Sequence, residues 1–92
     1  MVDLKKVYIY GLVDPEDHTL CYIGQTINLR SRMLYHMEEK TNTRKSKWIA
    51  SLKDKRLKPK MVVIDTVPIN DWEFWEKFYI TRYRFMCVDL MN

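Results

Sequence analysis

Tyr8-Ile9-Tyr10, Tyr22-Ile23-Gly24-Gln25-Thr26, Arg32 and His36 are parts of one stretch, Tyr8 to His36, on which the reading of the whole chain turns. Two β-like segments joined by a polar turn set Tyr10 and Tyr22 side by side on neighbouring strands, because alternate side chains share a face and cross-strand neighbours approach closely. The helical run that follows presents Arg32 and His36 together, since residues four apart lie on one side of a helix. Two phenols, a guanidinium and an imidazole meet in this way. The group lacks a metal ligand, which the later chain has to provide.

Working outward, Lys6 to Val13 alternates Tyr8, Tyr10 and Leu12 with Val7, Ile9 and Gly11, which predicts a strand covered at least partly on both faces. Asp14-Pro15-Glu16-Asp17-His18 is turn chemistry, with His18 at the surface. Leu20 to Gly24 is the return strand, and Gly24 ends it where a side chain would obstruct the chain's exit or an approaching substrate. Thr26 or Asn28 caps the next helix. In that helix Leu29, Met33 and Met37 form the apolar stripe; Arg32 and His36 border the core along one edge without lying in it, and Arg30 lies on the opposite border.

Glu38 to Lys47 reads as a polar loop into a second helix over Lys45 to Lys55, whose apolar side is Trp48, Ile49 and Leu52. Lys40, Arg44, Lys45 and Lys47 either track a phosphate backbone or form a solvated charged face. Lys58-Pro59-Lys60 breaks the helix and opens Met61-Val62-Val63-Ile64, a continuous apolar run that suits a strand buried on both faces beside the hairpin. Pro68 to Asp71 starts the last helix, with Asn70 or Asp71 as its cap.

That last helix carries an anomaly. At helical spacing Trp72, Trp75, Tyr79, Ile80 and Tyr83 share one side, and Glu76 falls among them. An ionised carboxylate on an apolar face needs compensation, because desolvating it alone costs several kcal/mol. Two kinds of partner serve: an internal ion pair with Arg32, Arg82 or Arg84, or a hard divalent cation, which favours an anionic oxygen and completes its shell with water and phosphate.

Composition sets the frame. A chain of 92 residues makes one domain, 1–92, with a modest core, and 47% hydrophobic and 13% aromatic residues exclude intrinsic disorder. The net charge of +4 suits a polyanionic partner such as nucleic acid. Cys21 and Cys87 have no metal-binding or redox spacing, and the Met1 to Lys6 lead-in lacks a signal-peptide core or a membrane span. These features place the protein in an intracellular, reducing compartment with both thiols free.

Tyr8-Ile9-Tyr10, Tyr22-Ile23-Gly24, Arg32, His36 and Glu76-Lys77-Phe78-Tyr79-Ile80, with Asn92 at the end of Leu90-Met91-Asn92, together resemble the GIY-YIG nuclease family over nearly the whole chain. Tyr8 departs from the pattern by standing at the first motif's glycine position. The resemblance implies an α+β fold, a three-stranded antiparallel sheet flanked by helices in the order β-β-α-α-β-α. It also implies hydrolysis of a DNA phosphodiester at a single bound Mg²⁺ or Mn²⁺. Carried over, Glu76 binds the metal, Arg32 holds the scissile phosphate, and Tyr10 acts as general base or orients the attacking water. Tyr22 lines the same pocket, His36 tunes Tyr10 or transfers a proton, and Asn92 supports the site. Gly24, Arg30, Lys45, Lys47 and Asn92 are the further candidates for contact with substrate. Targeting would draw on an additional DNA-binding domain or a partner protein.

A tyrosine with an ordinary pKa near 10 is a poor base at neutral pH, so the pocket has to lower that value through Arg32, His36 or the metal's field. Two other classes of function are compatible with parts of the pattern. One is a catalytically inactive nucleic-acid-binding module of the same fold. The other is a protein-interaction domain whose aromatic last helix docks a partner, with Glu76 paired internally.

Overall fold

The computed structural model describes residues 5–92. Met1 to Leu4, the start of the lead-in discussed above, lie outside the described residues. Strands β1 (Lys6–Val13) and β2 (Leu20–Thr26) form the hairpin, followed by helices α1 (Leu29–Glu38) and α2 (Arg44–Asp54), strand β3 (Lys60–Pro68) and helix α3 (Trp72–Phe85). The sheet is three-stranded and antiparallel in the order β2-β1-β3, so β1 is central. The expected α+β fold and element order are the ones observed.

Local chemistry accounts for the boundaries. Asp14 Oδ1 accepts from the Glu16 amide and Asp17 Oδ1 from the Thr19 amide, closing the hairpin turn, while His18 takes a left-handed φ of 63°. Asn28 caps α1 by accepting from the Ser31 amide, and Thr43 caps α2 by accepting from the Ser46 amide. α2 ends where Arg56 turns left-handed and the Leu57 amide returns to the carbonyl of Leu52. The start of α3 differs from expectation. A short 3₁₀ turn, Ile69–Asp71, leads into it, and the Asp71 side chain makes no capping bond.

The third strand also departs from expectation. It runs from Lys60 to Pro68, well beyond the apolar run, and it is not buried on both faces: Val63 is half exposed. The reason is position. β3 pairs with β1 at the edge of the sheet, and an apolar run by itself does not separate an edge strand from a central one.

Val7, Ile9, Ile23, Val67 and Leu90 form the main core, with Trp72, Trp75, Tyr79, Ile80 and Tyr83 of α3 packed on it. Tyr10 and Leu12 alternate with those β1 residues and point to the other face of the sheet, where α1 and α2 lie. α2 is tied to the hairpin through Trp48 Nε1, which donates to Asp14 Oδ2 at 2.9 Å. Beyond α3 the chain returns along β2, where the Met91 amide donates to the carbonyl of Cys21. Cys21 is buried, Cys87 is exposed, and both thiols are free. Among the described residues no helix is long and apolar enough to cross a membrane.

Candidate active site

The register places Tyr10 opposite Gly24 and Leu12 opposite Tyr22. Tyr10 and Tyr22 are therefore diagonal neighbours on one face rather than directly paired; their rings are 6.5 Å apart and tilted by 44°. Gly24 is buried, and a Cβ there would overlap the ring and hydroxyl of Tyr10. The missing side chain admits the Tyr10 phenol. The register between β1 and β3 shifts between Ile9 and Tyr10, a bulge of the kind that re-aims a side chain beside it.

Tyr10 is fully buried, and its hydroxyl is the hub of the site. It lies 2.6 Å from Nε2 of His36, and the Nε of Arg32 donates to it at 3.2 Å. Burial pushes the Tyr10 pKa up to about 12, against the opposing pull of Arg32, so this pocket by itself raises the phenol pKa that the chemistry needs lowered. Tyr22, half-buried, is shifted upward by burial as well.

His36 corrects the expectation that it borders the core: it is 1% exposed, the buried residue of α1. Its ring meets those of Tyr10, Tyr22 and Tyr35 in T-shaped contacts that enclose it. Burial, reinforced by the charges of Lys45 and Arg32, lowers its pKa to about 4. Nδ1 is buried without a hydrogen-bond partner among the described residues.

Arg32 sits half-buried with its guanidinium carbon 4.7 Å from the centre of the Tyr35 ring, a stacking that fixes the plane of the fork. Its Nε donates to Tyr10 and the Tyr22 phenol lies within its reach, and the planar Nη fork suits a bidentate oxyanion.

Glu76 projects from α3, half-buried, with neither a hydrogen bond nor an ion pair among the described residues. The internal pair weighed for it is not formed: Arg32 is bonded to Tyr10 and Arg84 to the carbonyl of Asn92. Burial raises its pKa, and the charge of Arg32 works against that rise. No cluster of three or more His, Cys, Asp or Glu residues suited to a metal occurs among the described residues. A single carboxylate fits Mg²⁺ or Mn²⁺, which keep much of their shell as water and phosphate, and does not fit a site that must enclose a metal in protein ligands.

The remaining candidates separate. Asn92 Oδ1 accepts from the Ile23 amide at 2.9 Å and Nδ2 donates to the Ile23 carbonyl, so this side chain pins the backbone between Tyr22 and Gly24. Lys45 is not part of a solvated face. It is 8% exposed, its Nζ is 2.9 Å from Glu39 Oε1, and it lies 4.8 Å from the centre of the Tyr22 ring. That amine is committed to partners within the fold. Lys47 and Arg30 are exposed, and Arg30 borders a groove with Met33, Leu34 and Met61 away from the Tyr10 hub.

Two contributors were missed from the sequence. Tyr35, three residues from Arg32 on the same helix, could have been found from helical spacing. Glu39 could not. It accepts from Thr41, Lys45 and Ser46 across the α1–α2 loop, where no periodicity applies.

A family model described as the GIY-YIG catalytic domain matches residues 6–87. No curated protein and no solved structure matches the chain.

Proposed function

The chain belongs to the GIY-YIG catalytic-domain family, a family of nucleases, and on that premise we propose that it is a metal-dependent endonuclease hydrolysing DNA phosphodiester bonds. The observation that carries this reading is the Tyr10 hydroxyl held between Arg32 Nε and His36 Nε2. Any buried phenol needs a hydrogen-bond partner, but a guanidinium and a neutral imidazole on the same hydroxyl also supply a fixed charge and a proton acceptor, which hydrolysis can use.

Glu76 is the residue that would hold Mg²⁺ or Mn²⁺, and a bound ion supplies Lewis-acid stabilisation of the charge that builds on the phosphate and leaving oxygen. Arg32 offers its Nη fork to the non-bridging oxygens, where a planar guanidinium gives two-point contact and a lysine would give one. In this reading Arg32 Nε–H donates to the Tyr10 oxygen, and the phenol's own hydrogen is directed at His36 Nε2.

That arrangement meets the difficulty of a phenol with a pKa of about 12. As water attacks phosphorus, Tyr10 accepts the water's proton while its own passes to His36, so no free phenolate has to form. The negative charge of bound phosphate offsets the Lys45 and Arg32 charges that hold the His36 pKa down, making the imidazole a better acceptor when substrate is present. Tyr22 lines the same pocket, beside a hollow of about 280 Å³ that Lys45 and Asn92 also border.

The protein-interaction reading depends on Glu76 being paired internally, and no such pair is formed among the described residues. The deciding experiment is cleavage of supercoiled plasmid with Mg²⁺, Mn²⁺ or EDTA, comparing the wild type with Glu76→Ala. Metal-dependent nicking lost in the variant is expected. Nicking that survives Glu76→Ala would remove Glu76 as the metal ligand, and binding without cleavage in any metal would favour an inactive nucleic-acid-binding module.

A further inference from the structure

The outer face of α3 takes no part in the site. At about 100° per residue, Phe74, Phe78, Thr81 and Phe85 fall on one side of the helix, opposite the Trp72, Trp75, Tyr79 and Tyr83 side that packs on the core. Phe74 is 62% exposed, Phe78 40% and Phe85 88%, and the Phe74 and Phe78 rings stack 6.3 Å apart. These residues line an open groove of about 490 Å³ along the helix. Scattered exposed aromatics need no explanation, but a stripe running the length of a helix marks an interface.

The charges flanking the stripe select its occupant. Glu73 and Arg84 lie on one flank, roughly three helical turns apart, Arg82 lies toward the other flank, and Asp71 stands in the 3₁₀ turn just before the helix. Acidic residues thus stand at the N-terminal end and basic residues at the C-terminal end of the stripe. Two such helices packed antiparallel bring like flanks together, so Glu73 meets the second copy's Arg84 and Asp71 approaches its Arg82. The same register stacks Phe74 on the second copy's Phe85. Packed parallel, opposite flanks meet: Glu73 then faces Asp71, and Arg84 faces Arg82. Repulsion at both ends disfavours that arrangement. Arg84 now donates one Nη to the carbonyl of Asn92, which leaves the rest of its fork free. Lys77 falls near the two-fold axis, where its long stem can carry the amine outward to solvent.

We propose that this face pairs with a second copy of the chain, α3 against α3 in antiparallel, two-fold symmetric contact. Such an interface is isologous: the same stripe serves both copies, and two Glu73–Arg84 ion pairs form. Glu76 is on the core side of α3, so the pairing leaves both candidate active sites uncovered. The inference goes beyond the nuclease reading and stands without it.

The test is sedimentation of the full chain from micromolar to millimolar concentration. A monomer–dimer equilibrium is expected, abolished by Phe85→Glu with an unchanged circular dichroism spectrum, because that side chain is almost wholly exposed. Glu73→Arg and Arg84→Glu should each raise the dimer Kd by about fivefold or more, and the two together should restore it to within about twofold. A chain that stays monomeric throughout, or a dimer indifferent to Phe85→Glu, overturns the proposal. Failure of the paired charge reversal to restore the dimer overturns the antiparallel geometry. A monomer that binds anionic vesicles through the stripe assigns the face to a membrane surface instead.

Discussion

The Tyr10 hydroxyl lies 2.6 Å from Nε2 of His36, so the direction of this bond and the imidazole tautomer are set together. The proposed proton path requires Tyr10 to donate to Nε2, which puts the hydrogen of the neutral ring on buried Nδ1. Nitrogen NMR at neutral pH should show the Nδ1–H tautomer, with a side-chain titration near pH 4. The unfolded chain binds this proton more readily than the folded one between the ordinary value of 6.5 and about 4. Stability from this group is therefore complete above about pH 6.5, declines as pH falls through that window and levels off below it. At about 1.4 kcal/mol per pKa unit the whole effect is at most about 3.5 kcal/mol. Urea unfolding followed from pH 7 to 4.5 checks it: His36→Gln should flatten the slope, and an equal slope in both proteins would show that other groups cause it.

Tyr10→Phe keeps the ring that fills the space opposite Gly24 and removes the hydroxyl. It leaves His36 Nε2 buried without its donor, at a cost of about 1–3 kcal/mol in unfolding free energy. Plasmid cleavage should fall by at least about a hundredfold while DNA binding, measured by fluorescence anisotropy in EDTA, holds within about threefold. Cleavage at the wild-type rate would eliminate Tyr10 as the base.

Gly24→Ala tests the cradle from the other side. Because the added methyl would occupy the space of the Tyr10 ring, the phenol or strand β2 has to move, with an expected loss of about 1–3 kcal/mol. The Tyr10–His36 bond should lengthen with it, so the His36 titration and cleavage rate should shift together. A folded, fully active Gly24→Ala protein would mean that the site tolerates displacement of Tyr10.

Much of this was legible in the sequence, for local reasons. Alternation in β1, turn chemistry at Asp14 to His18 and a cap at Thr26 or Asn28 act over a few residues, and the hairpin and first helix follow, whereas the Thr43 cap of α2 was not read from the polar loop. Glu76 stood out because helical periodicity puts a carboxylate among tryptophans and tyrosines. What was not legible depends on tertiary contact. The Tyr10–Tyr22 offset comes from the pairing register. The burial of His36 depends on Tyr10 and Tyr22 closing over it. A lysine in a basic run reads as solvated until Glu39, on the other side of a loop, is found beside it.

Asn92 gives a test of positioning separate from chemistry. Asn92→Ala removes both bonds to the Ile23 backbone, with an expected loss of about 1–2 kcal/mol. Hydrogen exchange at the Ile23 amide should quicken, and cleavage should slow as the Tyr22–Gly24 segment loosens. Unaltered exchange at Ile23 would mean that strand pairing alone holds this segment, and any loss of activity would then have to come from contact with substrate.

Lys45→Met removes a positive charge beside His36 and keeps most of the buried volume. The Lys45 charge is one of the causes holding the His36 pKa down, so the variant's His36 should titrate above about 4, and the acid window of instability should narrow from below. Glu39 loses one partner but keeps Thr41 and Ser46, so its carboxyl, now held at about 2 chiefly by Thr41 and Lys45, should rise toward the ordinary carboxylate range. Losing one side of a buried ion pair costs roughly 3–5 kcal/mol, and the remaining Glu39 bonds place this case at the lower end. Two-dimensional NMR titration of both residues separates the outcomes. An upward shift of His36 in Lys45→Met identifies the amine as an electrostatic regulator of the Tyr10–His36 pair. An unmoved His36 with a destabilised protein would reduce Lys45 to a structural partner of Glu39.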